Sequence, residues 1–109
     1  MEVQVEQRAG STIVAPSGDV DLSCSRDLQT YLREVFSKNP ERVIVDLEGV
    51  SYMDSSGVAT LVEGMQIARK QSVSLVLCRM QPRVRSIFEI ARLDKVFTIV
   101  DGLDDATSA

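Results

Sequence analysis

The residues with the most chemistry per position are Asp54-Ser55-Ser56-Gly57, set between an apolar run, Val43 to Leu47, and a stretch of helical periodicity. A carboxylate, two hydroxyls and a glycine at the mouth of a helix can do two things. Ser and Asp are favoured N-caps, accepting hydrogen bonds from unpaired amide N–H groups and stabilising a helix by about 1 kcal/mol. The same N-terminus carries a partial positive charge that tolerates an added anion, so a phosphate on Ser55 can be held without unfolding the helix. That phosphate would alter the surface a partner meets, with Asp54 adding repulsion. A serine modified by another protein needs no catalytic neighbours. Capping and switching are therefore compatible roles for one residue.

Catalysis by the chain itself finds little support. There is no His, so neither a Ser-His-Asp triad nor a His-ligated metal site can be assembled. Cys24 and Cys78 match no paired metal-ligand spacing and read as buried or half-buried free thiols. No phosphate-binding P-loop is present, and no nucleophile has a visible base. A receiver-type reading, with Asp54 as the phospho-acceptor, needs an acidic pair near the first strand to hold Mg²⁺ and a lysine near the last. Asp19 and Asp21 after the second strand, with Lys95 before the last, fit that layout poorly. No cofactor is expected.

At 109 residues, the chain is expected to form one domain over 1–109, able to bury roughly two thirds of its unfolded surface without a metal or disulfides. The formal charge of -4 argues against a broad nucleic-acid surface. The polar, acidic start MEVQVEQRAG does not resemble a signal peptide. No apolar run approaches the roughly 20 residues of a membrane span. The expectation is a cytoplasmic protein with no direct membrane insertion.

The elements that must position the serines follow from periodicity. Val3 and Val5 alternate with polar residues, Arg8 to Ser11 supplies a turn, and Thr12 to Ala15 resumes in β-branched residues: an opening hairpin. Pro16-Ser17-Gly18-Asp19 ends or interrupts it. Leu28, Leu32, Val35 and Phe36 form the apolar face of a first helix, capped by Ser23 or Ser25 and stopped at Asn39-Pro40. Val43 to Leu47 reads as a strand covered on both faces, and Glu48 to Met53 as the connection to the serines. Val58, Leu61, Val62, Met65 and Ala68 make the core stripe of a second helix. Its Gly57 and Gly64, with Thr60 and Ala68 close by, leave a smooth flank that something can approach closely, or are simply tolerated glycines.

Val73 to Cys78 is a further strand. Pro82 opens a third helix with Val84, Ile87, Phe88 and Ala91 inward and Arg83, Arg85 and Arg92 outward, flanked by Arg79 and Lys95 as a solvated cationic face. Val96 to Val100 is the last strand, and LDDATSA at most a frayed turn. Strands alternating with helices predict an α/β fold: a mostly parallel central sheet, an N-terminal antiparallel hairpin and helices packed on the sheet. In such sheets sites gather outside the carboxyl ends of the strands, where Asp19-Val20-Asp21 and Asp54-Ser55-Ser56-Gly57 should both open.

The segment Asp46-Leu-Glu-Gly-Val-Ser-Tyr-Met-Asp-Ser-Ser-Gly-Val58 resembles the signature of the STAS domain, the family of bacterial anti-sigma factor antagonists. Ser17-Gly18-Asp19-Val20-Asp21 resembles that family's upstream Gly-acidic-apolar-Asp motif, and Arg92 to Phe97 its passage before the last strand. The C-terminal helix typical of the family looks curtailed. The resemblance implies a phosphorylation-switched binding protein. Unphosphorylated, it would sequester an anti-sigma factor serine kinase and free a sigma factor; the kinase would phosphorylate Ser55 and a phosphoserine phosphatase would reset it. Asp54, Ser56 and Gly57 would surround the phosphosite and Asp21 would contact the partner. The alternative it implies is a non-catalytic subunit of a lipid-transport permease, docking a permease helix against the second helix.

Overall fold

The computed structural model describes every residue from Met1 to Ala109. The opening β-branched runs pair as an antiparallel hairpin of β1 (Glu2–Arg8) and β2 (Ser11–Val20). Ala9 and Gly10 both take positive φ, 49° and 83°, which lets two residues reverse the chain in step with the strands' twist. Then follow α1 (Ser25–Ser37), β3 (Arg42–Asp46), β4 (Val50–Met53), α2 (Ser55–Gln71), β5 (Ser74–Cys78), α3 (Pro82–Ile90), β6 (Thr98–Val100) and α4 (Leu103–Ser108). The sheet runs β1-β2-β3-β5-β6, with β4 also paired to β2. Every pairing except β1 with β2 is parallel. The α/β sheet inferred from the sequence is the one observed.

Two strand assignments differ. Pro16 and Gly18 do not end the second strand; they lie inside β2. Along its inner edge β2 pairs with β3 from Ser11 to Val14, then with β4 from Gly18 to Val20. Pro16, which has no N–H to donate, falls in the gap between those two partners. Asp19 therefore belongs to β2 rather than following it. Glu48 to Met53, expected as a connection, contains the strand β4. Its pattern, Val50 and Met53 buried with Ser51 and Tyr52 exposed, is too short and too weakly alternating to announce a strand.

The sheet's two faces carry separate clusters. Val14, Val43, Val45, Leu75 and Leu77 pack with Leu28, Leu32 and Phe36 of α1, Val58 and Leu61 of α2, and Val84 and Phe88 of α3. Phe88 meets Phe97 edge-to-face with ring centroids 5.5 Å apart, the arrangement favoured by the ring quadrupoles. Ile13, Ile44, Val76 and Cys78, alternating with the first set, turn to the opposite face and are covered by Ala106, with Leu103 and Val100 alongside. The C-terminal residues are thus a helix with a fully buried alanine, not a frayed turn. A six-residue helix is too short for its periodicity to register, but the sheet needs a cover over that face. Arg42 ties it down through guanidinium hydrogen bonds to the carbonyls of Thr107 and Ala109.

The expected smooth flank of α2 is also explained from within the chain. Gly64 is buried, and a Cβ there would lie 3.6 Å from Leu32 and 3.8 Å from Phe36, so the approaching surface is α1. Arg79, read as part of a cationic face, is instead an internal clamp. Its guanidinium donates to both carboxylate oxygens of buried Asp46, at 3.1 and 2.5 Å, and to Glu48 at 3.0 Å. Hydrogen bonding to Asp46 first, with the nearby carboxylates, raises the Arg79 pKa further above its ordinary value.

Removal of Leu103 to Ala109 should uncover Ile13, Ile44, Val76 and Cys78. Burial, its largest cause, raises the Cys78 thiol to a pKa of about 11, so in the intact protein it should resist a thiol reagent at neutral pH. In the truncated protein Cys78 should label rapidly and the Tm should fall; continued protection of Cys78 would show that α4 is not its cover.

Candidate functional site

Strands β2 and β4 run parallel and end side by side, Val20 opposite Met53. Each hands its chain to a helix at the same end of the sheet, α1 after β2 and α2 after β4. Asp54 is the hinge of this arrangement. Its backbone is extended, and its Oδ1 accepts hydrogen bonds from the Ser56 N–H at 2.9 Å, the Gly57 N–H at 3.4 Å and the Ser56 hydroxyl at 2.5 Å. Its Oδ2 reaches the neighbouring loop and accepts from the Leu22 N–H at 3.2 Å. The Ser56 hydroxyl is the largest cause holding the Asp54 carboxyl below its ordinary range, reinforced by these backbone donors against partial desolvation.

The N-cap role thus falls to Asp54, and Ser55 is left free. Ser55 occupies the first helical position, is exposed, and its hydroxyl has no hydrogen-bond partner within the chain. Ser56, half-buried, is committed to Asp54. The engagement of both Asp54 oxygens also disfavours the receiver-type reading, since a phospho-acceptor carboxylate needs an accessible oxygen.

Gly57 is buried under the end of β2. A Cβ there would stand 2.6 Å from Met53 Cγ, 2.8 Å from Val20 Cγ1 and 3.0 Å from the Val20 carbonyl oxygen. Only glycine lets the first turn of α2 lie this close to the strand backbone. It sets the position of Ser55 and does not itself reach the surface.

Asp21 lies on the adjoining loop, half-exposed. Its Oδ1 accepts from the Ser23 N–H at 3.0 Å and the Ser23 hydroxyl at 2.6 Å, and the Cys24 thiol lies 3.4 Å away. The Ser23 hydroxyl, then Cys24, hold its carboxyl below the ordinary range. Neither Ser23 nor Ser25 caps α1. Ser23 serves Asp21, Ser25 sits inside the first turn, and the N-cap position belongs to Cys24, whose side chain makes no cap bond. The Cys24 thiol donates to the Asp19 carbonyl at 2.8 Å, and Ser51 of β4 donates to the Asp19 carboxylate at 3.0 Å. The structure therefore brings Asp21, Asp54, Ser55 and Ser56 to one end of the sheet, on two loops joined through Leu22 and Asp54.

This arrangement presents a hydroxyl; it does not activate one. No base lies within hydrogen-bond reach of Ser55, so proton removal and the phosphoryl donor would come from outside. The alternative docking of a permease helix loses its expected surface, because α1 already occupies the glycine flank of α2.

Ser55→Ala should leave the Tm almost unchanged, whereas Asp54→Ala, which removes the helix cap, should lower it by about 4 °C in a chain of this size. Equal losses in thermal melts would show that Ser55 is also structural. The lowered carboxyl pKa values have a consequence in acid. A carboxylate whose folded pKa is depressed stabilises the fold above its unfolded value, near 4, and that contribution disappears as pH falls through the folded pKa. Thermal stability should therefore be level near neutral pH and drop below about pH 4. Asp54→Asn, which can still cap but does not titrate there, should flatten that drop; an unchanged acid profile would remove Asp54 from the linkage.

Comparison with known proteins agrees with this geometry. The STAS domain family model matches residues 2–106. BtrV of Bordetella bronchiseptica, named as an anti-sigma factor antagonist, is 27% identical over 109 residues, covering 100% of this chain and 94% of that one. A crystal structure of an anti-sigma factor antagonist from Mycobacterium paratuberculosis superposes with a TM-score of 0.86 at 25% identity, covering 98% of this chain and 91% of the other. The Bacillus cell fate determinant SpoIIAA in its phosphorylated form shares the fold with a TM-score of 0.75 at 19% identity, over 98% of this chain and 96% of its own. With its hairpin-edged parallel sheet and its acidic-serine turn at the start of α2, the chain belongs to the STAS domain family.

Proposed function

We propose that this protein is an anti-sigma factor antagonist switched by phosphorylation of Ser55. The observation that carries the reading is the division of labour at the start of α2. Asp54 caps the helix, so the exposed Ser55 hydroxyl is free to be modified. The protein performs no chemistry of its own. An anti-sigma factor with serine kinase activity binds the unphosphorylated form, and sequestration of that kinase releases a sigma factor. The kinase supplies the nucleotide and its metal; a phosphoserine phosphatase restores the hydroxyl. Asp21, Asp54 and Ser56 frame the contact, and Gly57 acts through the position of the first turn.

Phosphorylation breaks the complex by charge rather than by unfolding. A phosphate at the first helical position lies where backbone N–H groups and the helix dipole favour an anion. Those N–H groups are already shared with Asp54, and the two like charges meet at the docking surface. The fold should survive and the interface should not. The names of relatives such as BtrV, together with the covered flank of α2, favour this reading over a permease subunit.

Incubation with the purified anti-sigma factor of the same organism and ATP should place one phosphate on Ser55, located by mass spectrometry, and none on the Ser55→Ala variant. Ser55→Ala should bind that factor as the unmodified protein does, and Ser55→Asp should bind at least about tenfold more weakly with little change in Tm. Undiminished binding by Ser55→Asp at equal stability would exclude a charge-based switch at this position.

A further inference from the structure

We propose that Leu22 is the apolar anchor by which the anti-sigma factor engages this face, entering an apolar pocket of that partner rimmed by basic residues. The inference rests on the proposed function and names the contact that selects the partner. Leu22 is 80% exposed, directly after Asp21 on the loop that faces the start of α2. A lone surface leucine is ordinary; its mounting is what distinguishes this one. Its own N–H is held by Asp54 Oδ2 at 3.2 Å, the Ser23 N–H by Asp21 Oδ1 at 3.0 Å, and the Cys24 and Ser25 N–H groups by the Asp21 carbonyl at 3.1 and 2.8 Å.

A turn whose backbone is fixed in this way costs little ordering entropy on docking, so the apolar side chain it carries is presented from a preorganised base. Ile90, the other strongly exposed aliphatic residue at 83%, ends α3 and has no such tie to the serine.

The occupant follows from what shares the carboxylate. Asp54 spends one oxygen on the α2 N-terminus beside Ser55 and the other on Leu22, so a partner that touches the Ser55 hydroxyl meets Leu22 in the same contact. The carboxylates of Asp21 and Asp54 border that contact, which calls for cationic groups around the pocket. The arrangement also links anchor and switch. Seating Leu22 requires a dry contact, and a phosphate on the adjoining turn keeps water there.

The experiment is calorimetric titration of the purified anti-sigma factor of the same organism with wild-type protein, Leu22→Ala and Leu22→Met. Leu22→Ala should weaken binding about 10- to 100-fold, mostly through faster dissociation, and give a smaller negative heat-capacity change. Leu22→Met, of similar volume, should stay within about threefold. Neither change should move the Tm. If wild type binds and Leu22→Ala matches it within about twofold, the anchor is overturned while the proposed function stands. If wild type does not bind that factor, the proposed function falls and the anchor with it.

Discussion

The carboxylate of Asp54 is the contact on which the serine-bearing end of this molecule depends. A helix that starts directly after a four-residue strand leaves its first N–H groups without partners. Asp54 supplies two of them with an acceptor on one oxygen and spends the other on Leu22, in the loop after β2. A single side chain thereby closes the helix, joins two loops and relieves Ser55 of structural duty. Because the acceptors are ionised, these hydrogen bonds are stronger than neutral ones. The freedom of the Ser55 hydroxyl follows from them.

The remainder of the fold can be read as support for that end. Parallel strands β2 and β4 place Val20 and Met53 side by side, and Gly57 lets α2 descend onto them. At the next junction the Asp46–Arg79–Glu48 clamp ties the loop before β4 to the turn after β5. Removing one partner of such a half-buried cluster leaves a charge without its counter-ion, which costs more than the pair itself contributes. The second face of the sheet lies under a single short helix, and its apolar residues are dry only because Ala106 and Leu103 lie over them. Stability is concentrated between the sheet and α1 to α3, while the exposed Ser55 stands outside that core.

What could be read beforehand tracks the length and regularity of each pattern. Leu28, Leu32, Val35 and Phe36 repeat at helical spacing over a thirteen-residue helix and leave no doubt about its buried face. Val43 to Leu47 is apolar enough to mark a strand covered on both sides, and Val73 to Cys78 to mark a further strand, buried from Leu75 to Cys78. Pro16 and Gly18 misled because a β-strand that changes neighbours halfway can hold a proline in the gap, and nothing local announces the change. β4 and α4 were too short for periodicity. Arg79 looked like one more exposed cation because its partners lie 33 and 31 residues away.

The sequence by itself determined the α/β alternation, most of the inward positions of the three longer helices (Ala91, expected inward, is exposed just past the end of α3), and the presence of an acidic-serine turn at a helix start. Those are properties of neighbours along the chain, fixed by spacing and by the conformational preferences of each residue. Only the tertiary structure decided which of three adjacent polar groups, Asp54, Ser55 or Ser56, would cap the helix, and which would face water. It also decided that the glycine flank of α2 belongs to α1, and that the Leu22 loop is tied to the start of α2 through Asp54. Each of these depends on where a distant segment comes to lie. A carboxylate has two oxygens, and only packing determines that one serves its own helix while the other reaches a loop 32 residues away.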